Sequence, residues 1–321
     1  MRPSERTVTP LALAAIFFAV STVTALNYAL LPGEATLEAR RRNQAGILDH
    51  SSPAPDRYRF VLPMMIDAPI RVLAQSMPAN DAFDRTYAVF YVLALPAFLA
   101  SLFAYVRVWF ATEPALIGVL FVAATLPIAM RPHEYGPHSF LEPTFFSLSL
   151  LCIVRERRLW LALLVAIAAL NRETGVFLVL FYAVARPLNT RRLMATVVYA
   201  AVWLAVFIGV RLYAGDGGRY WTVDKVFSSN LSQPWLAVFN VAALLGVFWW
   251  FAAAGFRRAP PLVQRVARVI PAYVAVIAVW GIWWEVRLLL PLMPLVLPLA
   301  LSFLFKSESD ALDDPSVAFQ R

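Results

Sequence analysis

The chain has 321 residues, of which 60% are hydrophobic and only 15% charged, with a mean hydropathy of +0.66. So few charges cannot cover that much apolar surface in water, which excludes a soluble globular protein and indicates an all-α, polytopic transmembrane helical bundle. The net charge of +8 is carried by arginines in short clusters between apolar runs, the pattern of orientation signals and not of a nucleic-acid surface. The single cysteine, Cys152, excludes a disulfide framework and a thiolate metal cluster. No cofactor is expected; with no Asp-x-Asp sequence, a divalent metal has no support and is left open.

In chain order, Met-Arg-Pro-Ser-Glu-Arg precedes an apolar run ending at Leu31. That run exceeds a signal-peptide core and lacks a small-x-small cleavage site, so it is read as a retained first helix. Spans are then expected at about 9–31, 86–106, 114–130, 139–154, 159–170, 174–185, 193–213, 235–255, 269–284 and 288–305. Residues 32–85 form a long outer first loop. Within it, Pro63 to Met77 carries apolar Met64, Met65, Ile66, Ile70, Val72 and Leu73, with Asp67 and Arg71 one turn apart. This predicts an interfacial amphipathic segment broken at Pro69.

The apolar run 159–185 is interrupted by Asn171-Arg172-Glu173-Thr174. A charge at bilayer depth costs roughly 2.5–3.5 kcal/mol on insertion scales and is expected to face a cavity or a partner. Twelve residues rise only about 18 Å, against a hydrocarbon core of roughly 30 Å, so 159–170 and 174–185 predict a re-entrant or short-helix pair. Pro291, Pro294 and Pro298 predict a kinked last span, and Trp280, Trp283 and Trp284 an aromatic belt. Residues 306–321 read as a cytoplasmic tail of a single membrane domain, 1–321.

Arg2 and Arg6 place the N-terminus in the cytoplasm. With a hairpin at 171–174, the inner side also collects Arg107, Arg155 to Arg158, Arg186, Arg191, Arg192, Arg257, Arg258, Arg265, Arg268 and the C-terminus. A single crossing through 159–185 would put the Arg257–Arg268 cluster outside. About nine to ten segments in a bacterial inner membrane, with both termini cytoplasmic, follow. The outer side then receives loop 32–85, the Arg131–His138 loop, residues 171–174, loop 214–234 and Trp284 to Arg287.

Four polar clusters converge on that outer side: Asp56-Arg57-Tyr58-Arg59, His133-Glu134-Tyr135 followed by Glu142-Pro143, Arg172-Glu173, and Glu285-Val286-Arg287. Carboxylates can take a proton from a hydroxyl, and guanidinium forks bind phosphate. A substrate offering an alcohol, a phosphate leaving group and a lipid tail would use both, beside a greasy groove. Each pair alone reads better as an ion pair pinning helix ends, and it is four on one face that shift the balance. Asp216-Gly217-Gly218 reads as a turn, and Asn230-Leu231-Ser232 as a chance glycosylation pattern.

These motifs resemble those of the GT-C superfamily, polytopic glycosyltransferases that use polyprenyl-phosphate sugars. The likeness rests on Arg57-Tyr58-Arg59-Phe60-Val61-Leu62-Pro63, Glu142-Pro143, Asn171 to Thr174, and Glu285-x-Arg287, over a layout covering about residues 10–305. It implies a lipid-linked sugar donor, a glycan or lipid acceptor, membrane lipids as surroundings and no nucleic acid. It also implies a catalytic acid in the first outer loop, often one of an acidic pair; here Glu34, Glu38, Asp49 and Asp56 stand singly. The expected catalytic carboxylates are Glu142, Glu173 and Asp56. The expected substrate-binding residues are Arg57, Arg59, His133, Glu134, Asn171, Arg172, Glu285 and Arg287. The rival readings are a polysaccharide polymerase or ligase, and a transporter or flippase for lipid-linked or anionic solutes.

Overall fold

A computed structural model describes residues 9–30, 33–129, 138–218 and 222–305. In order these form α1 (Pro10–Leu30), α2 (Glu34–Leu48), α3 (Val61–Leu73), α4 (Ala79–Val106), α5 (Thr112–Ala129), α6 (His138–Val154), α7 (Arg158–Asn171), α8 (Val176–Val184), α9 (Thr190–Ala214), α10 (Val223–Ser232), α11 (Pro234–Leu245), α12 (Phe248–Gly255), α13 (Pro261–Ala267), α14 (Ile270–Trp280) and α15 (Met293–Leu304). Tighter 3-10 turns lie at Asp56–Tyr58, Glu173–Gly175, Phe256–Arg258 and Val286–Leu292, and no strand occurs among the described residues. Five helical stretches there are long and apolar enough to cross a membrane: α4, α5, α9, Pro261–Trp280 and Val286–Leu304. α11 and α12 make one more as a bent pair, and α1, α6, α7 and the Glu173–Val184 stretch supply shorter apolar helices. The fold is a helical bundle compatible with a multi-pass membrane protein.

The last span is the hub, with 89% of its apolar window buried, whereas only 11% of the α9 window is covered. Leu193, Met194, Val197, Leu204, Ile208 and Leu212 on α9 are exposed, as expected of a helix whose outer face meets lipid. Where every surface is apolar, hydrophobicity cannot choose helix neighbours, and close approach at small residues does. A Cβ on Gly118 would lie 2.9 Å from Leu297 Cδ1 of α15. A Cβ on Gly255 would collide with the Leu299 carbonyl oxygen and lie 2.9 Å from the Phe303 nitrogen. The second obstacle is backbone and cannot swing away. Gly255→Ala is therefore expected to destabilise the α12–α15 contact by about 1–3 kcal/mol despite alanine's better helix propensity, read as a lower thermal midpoint of the purified protein.

The structure corrects four expectations. The 32–85 connection is mostly helix: α2 follows α1 directly, and its inward residues include Arg40 and Gln44. That polar inner face covers a polar layer, so no hydrophobic period marks it. α3 continues through Pro69 instead of breaking, because Pro69 and Met65, whose carbonyl would lose its partner, both lie on the exposed side. The expected 235–255 span is two helices bent by 70°, joined where Gly246 takes a positive φ of 51°. Loop 214–234 holds α10, whose buried Asn230 donates to the Gly281 carbonyl (3.0 Å) and accepts from the Trp283 amide (2.8 Å).

Candidate functional site

The site is built around the interruption after α7. Arg172 leaves helical geometry (φ −159°, ψ 153°), and the Gly175 amide closes a turn on its carbonyl at 3.0 Å. The turn is so tight that a Cβ on Gly175 would stand 2.7 Å from the Ala168 carbonyl carbon, which only glycine avoids. The turn sends the Arg172 side chain to Glu142 on α6, with Nη1 donating to Oε2 at 2.8 Å. The Thr174 hydroxyl donates to the other oxygen, Oε1. The Tyr273 hydroxyl of α14 lies 3.4 Å from that same oxygen and 3.0 Å from the Leu288 carbonyl, in the turn that opens the last span. Three elements, α6, the α7–α8 turn and α14, meet at one carboxylate, and Tyr273 links it to the 286–292 turn.

Glu142 is only 3% exposed and Arg172 6%. An ion pair this deep survives only with good geometry and satisfied lone pairs, and both oxygens of Glu142 are occupied. As held here, the carboxylate orients Arg172.

Around this node lie further guanidinium groups. Arg287 grips Glu285 through Nη2 at 2.7 Å and Nε at 3.3 Å, both to Oε2. The charges of Arg172 and Arg59 reach Arg287 electrostatically, and those of Arg40 and Arg287 both reach Tyr91. The Arg40 guanidinium lies over the Tyr91 ring, 5.6 Å from its centroid. Arg41 bonds Glu34 at 2.8 Å and also Asp84 on α4, which fastens α2 and turns Arg40 inward. Arg59 is paired with Asp56 at 2.5 Å. Buried arginines from α2, the α7–α8 break and the 286–292 turn thus share one neighbourhood, with half-buried Arg59 at its edge. Gln44 ties the lid formed by α2 to α3 through the Pro63 carbonyl at 3.1 Å.

Two predicted residues stand to one side. Arg57 is spent on carbonyls, donating to Gly215 at 3.2 Å and to His50, whose backbone is left-handed (φ 61°). It clamps the 50–57 segment to the end of α9, where the Ala54 amide also bonds the Gly218 carbonyl at 3.0 Å. Glu173 pairs with Arg211 at 3.2 Å on the rim, and Arg211 is itself layered against Phe207 and Tyr58. Glu173 and Asp56 are the accessible carboxylates of the set, their side chains 35% and 26% exposed. Asn171 is buried with both amide atoms unpartnered, as is Nε of Arg172. Buried polar atoms without partners cost about 1–3 kcal/mol each. His133 and Glu134 lie outside the described residues.

No family model, curated protein or solved structure compared with the chain matches it. Functional argument rests on this geometry and on the motif resemblance.

Sequence reasoning passed over Arg40, Tyr91, Tyr273 and Arg211. Arg40 was hidden inside Arg40-Arg41-Arg42, which reads as a solvated face. Tyr273 offered a weak signal, as a lone hydroxyl in an otherwise apolar helix. Among the described residues, no group of three or more His, Cys, Asp or Glu side chains could hold a metal ion.

Proposed function

We propose that the chain is a membrane glycosyltransferase of GT-C type. It would move a sugar from a polyprenyl-phosphate carrier to an acceptor hydroxyl on the periplasmic side of a bacterial inner membrane. In this reading the chain has nine to ten membrane segments, with α7 and α8 as a short re-entrant pair and both termini cytoplasmic. The observation that carries it is the gathering of buried Arg40, Arg172 and Arg287, with half-buried Arg59 at their edge, beside the layer formed by residues 32–85. Guanidinium forks preorganised in a dry site stabilise charge that develops on a leaving phosphate.

The balance of the step is simple. The acceptor oxygen forms a bond to the anomeric carbon from the face opposite the phosphate, the carbon–oxygen bond to phosphate breaks, and polyprenyl phosphate leaves. The acceptor proton passes to a carboxylate. Glu142, with both oxygens engaged, is assigned to positioning Arg172. Asp56 is assigned as the base, because it is partly exposed, sits in the first outer loop and is joined to the arginine cluster through Arg59. The amide of Asn171 would meet a polar group of the donor. A polymerase or ligase would differ only in using a glycan acceptor.

A carrier for anionic or lipid-linked solutes is the second reading, favoured by the charged break between α7 and α8. Incubating the purified protein with labelled polyprenyl-phosphate sugars separates the two. Labelled sugar transferred or released is the expected result. No release from any donor, together with solute flux into vesicles, would replace the enzyme with a carrier.

A further inference from the structure

Away from the arginine cluster, towards the C-terminal end of α15, an open groove of about 530 Å³ lies between α12, α14 and α15. Its walls include Trp249, Ala253, Phe256, Ile270 and Leu299, and Arg257 stands among them as the sole charged side chain. The 70° bend at Gly246 splays α11 from α12, while Gly255 seats α12 hard against Leu299 and Phe303. The bend and the close contact together leave an apolar trough on the flank of the bundle. At membrane depth such a trough is not filled stably by water, whereas a hydrocarbon chain suits it.

Among the described residues, the charge beside it is one-sided. Arg257, Arg258, Arg265 and Arg268 follow one another, and no Asp or Glu occurs between Gly246 and Trp284. Arg258 lies over the Phe303 ring, 5.5 Å from its centroid, whereas Arg257 is exposed at the groove. Across the bundle, Arg265 reaches Arg192 electrostatically, and the nearby Glu156 is paired with Arg186. A zwitterionic headgroup would bring its own positive charge into this field; an anionic one would not. Basic pockets between membrane helices select anionic headgroups on this ground.

We propose that the groove is an anionic-phospholipid site, with one acyl chain in the trough and the phosphate on Arg257. It stands independently of the transfer chemistry, at a different place in the fold. The test is native mass spectrometry of the full chain recovered from vesicles of equal phosphatidylglycerol and phosphatidylcholine. The wild type is expected to retain phosphatidylglycerol over phosphatidylcholine by about fivefold for the one arginine in contact. Arg257→Gln should remove the preference, Arg257→Lys should keep it, and Ala253→Phe, which fills the trough, should release the lipid. Equal retention of both lipids by the wild type would overturn the proposal. So would a preference that survives Arg257→Gln, which leaves only an unselective acyl groove. A preference that survives Ala253→Phe would show general attraction to the basic surface, and overturns it too. Thermal unfolding of each variant confirms that it is folded.

Discussion

Replacing Arg172 with methionine is expected to destabilise the protein by about 3–5 kcal/mol, because it leaves the Glu142 carboxylate buried without its countercharge. Thr174 and Tyr273 donate only hydroxyl groups, which cannot neutralise it. The double variant Glu142→Gln with Arg172→Met should recover most of that loss, since a neutral amide among the same hydroxyls is far less costly to bury. Thermal unfolding of the wild type, the single variants and the double variant in the same detergent reads the coupling. Sugar transfer should not return with the double variant, because the fork on the phosphate is gone. Stability that returns together with activity would reduce Arg172 to a pin between α6 and the α7–α8 turn.

Asp56→Asn is expected to lower transfer by about 10²–10⁴, the range lost with a general base, while leaving thermal unfolding nearly unchanged. The small structural effect follows from position: Asp56 is partly solvated, and its pair with Arg59 spans a single turn. Glu173→Gln should cost about tenfold or less, since Glu173 faces Arg211 on the rim. Measuring kcat for both variants with one labelled donor decides the assignment. A large loss in Glu173→Gln with a mild one in Asp56→Asn would exchange their roles. Parallel mild losses would remove the base from this set of carboxylates.

The site was legible in part. The charged interruption at 171–174 declared itself, since no apolar helix carries Arg and Glu at depth without a reason. Glu142 and Arg172 were both singled out, yet nothing in the chain says that the two meet, thirty positions apart. That contact depends on the tight turn at Gly175, and the turn depends on how closely its backbone can approach Ala168. Arg57 and Arg59 look alike as a pair around Tyr58. Only the fold separates them, by offering Arg57 the carbonyls of His50 and Gly215 and giving Arg59 the Asp56 carboxylate and a place from which its charge reaches Arg287.

Composition alone determined that this is a helical bundle suited to a membrane, because the scarcity of charge leaves helices as the form that satisfies the backbone in lipid. Local pattern also determined where most helices run, since apolar length and the positions of glycine, proline and charge act within a few residues. Tertiary structure alone decided which arginines share a region, which carboxylates keep access to solvent, and that α2 turns Arg40 and Gln44 inward. Those outcomes rest on distances between residues far apart in the chain, and such distances are set by helix packing at Gly118, Gly175 and Gly255.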